Sequence, residues 1–288
     1  MSYSSRRSFL KAAGAVTAAT SLGAGWLSAA PLHLPVGLQL YSVRELLPKD
    51  FDGTLAKVHA AGYTVVEAAG YYDRTAQQFR KSMEQAGLRC VSTHHTLKQL
   101  QTQLEQWIDY GHTLGLEYIV CSSSGGVHRN PQAKGPQTLD DWRWIASEFN
   151  RVGERVKAAG MTFGVHNHQP EFANFNGDLV YDELLRLTNP ELVVFEMDAG
   201  WVYAAGYNPI DYLKLSPKRF QLMHVKDMVR QPGGKVLLPV MGKGNMNYGA
   251  IMRAATGVKY YFIEQERFDM EPMEELRLDA EYMRKLNV

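Results

Sequence analysis

Eight short apolar runs punctuate the chain: residues 36–41 (VGLQLY), 64–68 (TVVEA), 88–93 (LRCVST), 117–122 (EYIVCS), 161–166 (MTFGVH), 192–198 (LVVFEMD), 219–225 (RFQLMHV) and 259–264 (KYYFIE). Runs this short, apolar on both faces and rich in Val, Ile, Tyr and Phe, predict buried parallel strands. Helical patterning fills the intervals, at 51–61, 74–86, 97–114, 138–159, 178–188, 208–215, 247–256 and 271–286. Several of these stretches close at a glycine (Gly62, Gly87, Gly115, Gly160, Gly257), which predicts a helix stop followed at once by the next strand. Asp178 and Asn208-Pro209 predict N-terminal caps. Strict alternation of eight strands with eight helices predicts an α/β protein, a (β/α)8 TIM barrel in one domain. A doubly wound open sheet is the runner-up, but no GxGxxG follows the first strand. The long Gly-rich loop 122–137 is the kind that covers a barrel mouth.

The first thirty residues break this pattern. Arg6-Arg7 precedes an uncharged stretch from Ala12 to Ala30 that ends in small residues before Pro31. That layout predicts a twin-arginine export signal over 1–30, cleaved near Ala30, and a barrel domain over 31–288. A membrane anchor is the alternative, but Ala, Gly, Thr and Ser make a weak spanning helix, so no stable insertion is expected after cleavage. The expected compartment is the periplasm. Without Arg6, Arg7 and Lys11 the chain keeps 28 basic and 30 acidic residues, a net charge of −2. No basic stripe remains to hold nucleic acid. Cys90 and Cys121 fall near the ends of neighbouring predicted strands, where two buried thiols are favoured over a disulfide in a core of this size.

Chemistry enters at the strand ends. Four late segments read VHNHQPE (165–171), FEMDAG (195–200), HVKD (224–227) and FIEQE (262–266). Burying an unpaired charge is expensive, so repeated His, Asp and Glu at the ends of apolar runs need a reason. In a barrel these ends converge on one pocket. They bring together Gln39, Tyr41, Glu67, His94, His95, Ser122, His166, His168, Asp198, His224, Lys226, Asp227, Glu264 and Glu266. Period-two alternation lets His166 share a face with His168, and Glu264 with Glu266, but it separates His94 from His95. Glu67 also suits a structural role. Gly242-Lys243-Gly244 suits either an anion contact or a plain turn.

These segments resemble the xylose-isomerase-like sugar isomerase and epimerase superfamily, over the whole mature domain. The likeness is closest to a branch whose strand five ends in HNH followed by an acid and Phe, here His166-Asn167-His168-Gln169-Pro170-Glu171-Phe172. The resemblance implies one divalent ion (Mn2+, Mg2+, Co2+ or Zn2+) on strands five to eight. Its ligands would be Asp198, His224 and Glu264, with Glu171 preferred over His166 as the fourth. The chain departs from many relatives in having His166 where they have Glu, and Ala199-Gly200-Trp201 where they have Gly-His after the aspartate. The implied chemistry is proton abstraction next to a carbonyl of a free sugar or keto sugar. Catalytic candidates are His166, His168, Glu266, His95 and Lys226; Gln39, Tyr41, His94, Trp201 and Asp227 are expected to line the substrate pocket. Isomerase or epimerase is the expectation. A lyase on 3-keto-glycosides and a non-catalytic sugar- or metal-binding protein are the alternatives, and the endonuclease branch is disfavoured by the charge. Barrels of this kind often pair through exposed loops, which leaves a homodimer open.

Overall fold

The computed structural model describes residues 31–288; the expected export signal lies outside the described residues. Eight parallel strands close into a barrel: β1 (Gly37–Gln39), β2 (Val65–Ala68), β3 (Arg89–Thr96), β4 (Tyr118–Ser123), β5 (Thr162–His166), β6 (Val193–Asp198), β7 (Phe220–Val225) and β8 (Tyr260–Ile263). Each strand pairs with its sequence neighbours, and β1 closes on β8 through Gly37↔Phe262 and Leu38↔Ile263. Around them run α1 (Phe51–Ala60), α2 (Ala76–Ala86), α3 (Leu97–Leu114), α4 (Leu139–Ala158), α5 (Val180–Leu187), α6 (Ala199–Ala204), α7 (Pro209–Leu215), α8 (Tyr248–Ala254) and α9 (Pro272–Lys285). Among the described residues no helix is long and apolar enough to cross a membrane.

Two apolar regions hold the barrel together. The larger lies between strands and helices, where outward-facing Leu38, Val66, Ile119, Phe163, Phe195, Met223 and Ile263 meet the helical faces. The smaller plugs the barrel interior with Val65, Val91, Tyr118, Val120, Val194, Leu222 and Phe262. Gly37 makes room for this plug, since a Cβ there would lie 2.6 Å from the Phe262 ring.

Several local details differ from the sequence pattern. After Gln39 the chain turns into a short 3-10 helix (Leu40–Val43), which puts Tyr41 on the rim, 43% exposed. β3 runs to Thr96 instead of stopping at residue 93, because His94 and His95 stay paired with Val120 and Cys121 of β4. An extra helix, α6, starts straight after β6: Asp198 caps it by accepting from the Trp201 amide (2.9 Å). Asp178 lies in a two-residue ribbon with 174–175 and does not cap α5, whose N-cap is Leu179. Asn208 does cap α7. The loop after β4 is pinned by Asp141, which accepts from the Arg129 amide (2.9 Å) and lies 3.1 Å from His128 Nδ1. Cys90 and Cys121 are free and buried; Cys121 lies opposite His95, five residues along β3 from Cys90.

Candidate active site

Two residues beyond four of the plug residues the barrel interior turns polar. Val65 is followed by Glu67, Val194 by Glu196 and then Asp198, Leu222 by His224 and then Lys226, Phe262 by Glu264 and then Glu266. The period of a strand puts these on the same inward face. Register irregularities fall beside both glutamates: against Val66–Glu67, β3 carries one extra residue (Val91), and against Phe195–Glu196, β7 carries one (Gln221).

The lower polar tier is a closed cluster. Glu67 accepts from Gln39 Nε2 (2.7 Å) and from the Ser92 hydroxyl, and its Oε1 lies 2.9 Å from His94 Nε2 and 2.7 Å from His224 Nε2. Glu196 Oε2 lies 2.6 Å from His94 Nε2, 3.0 Å from His166 Nδ1 and 3.3 Å from His224 Nε2, while its Oε1 is buried with no hydrogen-bond partner. Burial works to raise the Glu67 carboxyl, but His94 and His224 override it and hold the group well below the usual range. The Glu196 carboxyl is pushed up to about 7 by burial and by Glu67. Burial pulls His94 down, yet Glu67 and Glu196 raise it to about 9. His166 is driven down by burial and the neighbouring cations.

Above it, Asp198, His224 and Glu264 form a second group with ligand atoms within 4.8 Å of one another. Lys226, fully buried, reaches into it: Nζ lies 2.8 Å from Asp198 Oδ2, donates to Glu266 Oε1 (2.7 Å) and contacts Glu264 Oε2 closely. Burial opposes its charge, but Asp198, Glu264 and Glu266 raise its pKa well above the ordinary value. Lys226 forms no ion pair with its neighbour Asp227. Asp227 accepts from four amides instead, those of Met228, Gly242, Gly244 and Met246, and so ties down the Gly242–Gly244 turn rather than lining the pocket.

A cleft of about 680 Å³ opens over these tiers. His94, His166, His168, Glu264 and Glu266 are among its polar lining residues; Tyr41, His95 and Ser122 also line it. His168 is held down to about 4 by burial and by Lys226, so it is neutral at pH 7. His95 is lowered to about 3 by burial and by His94, and stacks on Trp107 at 4.4 Å between ring centroids. Trp201 Nε1 donates to Glu266 Oε1 (3.1 Å). Glu171 stays outside both groups: Oε2 accepts from the His168 amide (2.8 Å), and burial pushes the carboxyl up to about 7. Asn167 ties β5 to β6, accepting from the Asp198 amide (3.0 Å).

Two features escaped the sequence reading. Glu196 was visible as the alternate partner of Asp198 in Glu196-Met197-Asp198, on the same face by period two. The aromatic wall of the cleft, Tyr71, Tyr72, Trp107 and Tyr110, comes from the loop after β2 and from α3. Tyr72 and Asp73 there adopt left-handed backbone, φ 52° and 55°, which no strand-end pattern announces.

The donors present suit a divalent ion of the kind the resemblance implies. Buried imidazoles and carboxylates converge, Glu196 Oε1 has no partner, and an ammonium already serves as a cation among Asp198, Glu264 and Glu266. The comparisons with known proteins agree on this architecture. An inosose dehydratase of Geobacillus kaustophilus (strain HTA426) is 26% identical over 192 residues, a match spanning 62% of this chain and 62% of that protein. The chain thus matches less than two thirds of that relative's length. A crystal structure of a sugar phosphate isomerase/epimerase from Parabacteroides distasonis superposes with a TM-score of 0.73 at 26% identity, covering 87% of this chain and 93% of that one. The IOLI protein with a bound zinc atom shares the fold at a TM-score of 0.67 and 14% identity, over 86% of this chain and 96% of that one. At the N-terminus, residues 4–23 match the twin-arginine translocation signal sequence, which points to export. Residues 55–286 match the model of the xylose isomerase-like TIM barrel, and the chain belongs to that family.

Proposed function

We propose that the protein is a divalent-metal-dependent enzyme that removes a proton next to the carbonyl of a keto sugar, isomerising or epimerising it. The observation that carries this reading is a neutral base in the cleft and a charged acid behind its wall: His168 lines the cleft uncharged at pH 7, and buried Lys226 pairs with the lining residues Glu264 and Glu266 and with Asp198, which hold it protonated. His168 takes the proton from carbon, and the Lys226–Glu266 pair returns one or protonates an oxygen. His224, with the carboxylates and imidazoles around it, would hold a divalent ion, which when bound would supply Lewis-acid stabilisation for negative charge developing on the carbonyl oxygen. Trp201 holds Glu266 through its indole N–H. Tyr41, Gln39 and His94 shape the pocket or the cluster beneath it.

Elimination of a hydroxyl or an aglycone after the same abstraction is the second reading. It is favoured by the inosose dehydratase likeness and by the protonated Lys226, which suits a leaving group. A non-phosphorylated substrate fits better than a phosphate ester. The amides of Gly242 and Gly244 are already bound to Asp227, and Lys226 is committed to carboxylates. The working form is the barrel domain from residue 31, acting in the periplasm once residues 1–30 are removed. A pure binding protein has no use for a buried ammonium among carboxylates, an arrangement whose desolvation costs several kcal/mol per ion. Incubating the metal-loaded protein in D2O with a panel of keto sugars, 3-keto-glucosides and inososes tests the reading. Deuterium entering the carbon beside the carbonyl is expected; if no ketone in the panel exchanges above the uncatalysed rate, the proton-abstraction reading is wrong.

A further inference from the structure

We infer that Glu67 is a positioning residue for the metal group: by accepting the Nε2 proton of His224 it leaves Nδ1 as the lone pair turned to Asp198 and Glu264. The inference rests on the metal-dependent reading above and deepens it. Glu67 stands on β2, away from the four late strands whose segments carry the family likeness.

His224 is fully buried, and each of its ring nitrogens faces carboxylate oxygens. Nδ1 lies 3.2 Å from Glu264 Oε2 and 4.0 Å from Asp198 Oδ2, so this edge of the ring belongs to the Asp198–His224–Glu264 group. Nε2 points the other way, 2.7 Å from Glu67 Oε1 and 3.3 Å from Glu196 Oε2. A neutral imidazole carries one N–H and one lone pair, and the hydrogen bond made by one nitrogen sets the role of the other. Gln39 Nε2 (2.7 Å) and the Ser92 hydroxyl already donate to Glu67, one to each oxygen, so Glu67 offers Nε2 an acceptor and no proton. Glu196 is the poorer partner for Nε2, because its Oε2 lies closer to His94 (2.6 Å) and His166 (3.0 Å).

A purely structural role for Glu67 leaves its reach unexplained. Gln39 on β1 and Ser92 on β3 come from the two strands beside β2, and together they satisfy both carboxylate oxygens. His224 comes from β7, with β1 and β8 in between. Spanning the barrel adds nothing that the burial of Glu67 requires. It does give His224 what a metal-binding imidazole needs, a carboxylate on its second N–H that fixes the tautomer and ring orientation and raises basicity at the other nitrogen.

The test is affinity for Zn2+ by competition calorimetry on the purified protein, with the melting temperature recorded for each variant. Glu67→Met removes the acceptor and should weaken zinc about 10–100-fold. Glu67→Gln keeps an acceptor oxygen and should restore most of that loss. Unchanged affinity in Glu67→Met, or an equal loss in both variants, overturns the inference and leaves the metal-dependent reading standing. A wild type that takes up no zinc overturns both. Should Glu67→Met fail to fold, NMR of isotope-labelled, zinc-loaded wild type decides, with the His224 ring assigned by its loss in His224→Ala. A proton on Nε2 with zinc on Nδ1 supports the inference, and zinc on Nε2 rejects it.

Discussion

Asp279 shows what burial does to a single carboxylate. It is fully buried on α9, Oδ1 accepts from the Met241 amide (2.7 Å), and Oδ2 has no partner. Burial pushes its pKa to about 7. The folded state therefore binds a proton more readily than the unfolded chain, and stability falls as pH rises from about 4 through about 7, then levels off. At roughly 1.4 kcal/mol per pH unit the penalty above pH 7 is on the order of 4 kcal/mol. Asp279→Asn keeps the acceptor and removes the charge. It should raise the melting temperature by several degrees at pH 8 and hardly change it at pH 4, as scanning calorimetry can check. His168 is the functional counterpart. Its pKa is held near 4 by burial and Lys226, so kcat/KM should stay level as pH drops through 6.5 and fall only on approach to pH 4. Replacing Lys226 by Met should move that acid limb upward. A wild-type limb near 6.5 would remove His168 from the role of base.

Elements position these groups more tightly than residue type suggests. α6 begins on Asp198 itself, so the strand's last acid is also the helix cap. Its second residue, Gly200, lies against the Lys226 stem; a Cβ would sit 2.6 Å from Lys226 Cγ and 3.0 Å from Met228 Cε. Alanine is ordinarily the better helix residue by about 1 kcal/mol, but overpacking a full site costs about 1–3 kcal/mol, so the clash wins. Gly200→Ala should lower stability by up to about 2 kcal/mol in urea titrations and reduce kcat by tenfold or more by displacing the ammonium. The strands and most helices were legible because their apolar runs have one purpose, burial. α6 was not, since six residues between a strand and a Gly carry too short a pattern to register. The Asp178 cap misled for a related reason: an exposed Asp before a helix suits a ribbon turn equally well.

Across the whole molecule, the late strand ends were readable from sequence and the depth of each residue was not. The strand-end pattern brought Glu67 and His94 to the same pocket as Asp198, His224 and Glu264, but only the closed barrel reveals that these two form a tier beneath the others. The extra residues of β3 and β7 opposite Glu67 and Glu196 leave no trace in composition, and the aromatic wall depends on a left-handed loop. Closure itself has a temporal meaning. The barrel is sealed by residues 37–39 pairing with residues 260–263, which leave the ribosome at opposite ends of synthesis. The lower tier draws on β2, β3, β5, β6 and β7, so no nascent fragment short of about residue 224 presents its full set of donors. The polar centre is thus assembled only after most of the barrel has been made, so it cannot be presented by an early fragment of the chain.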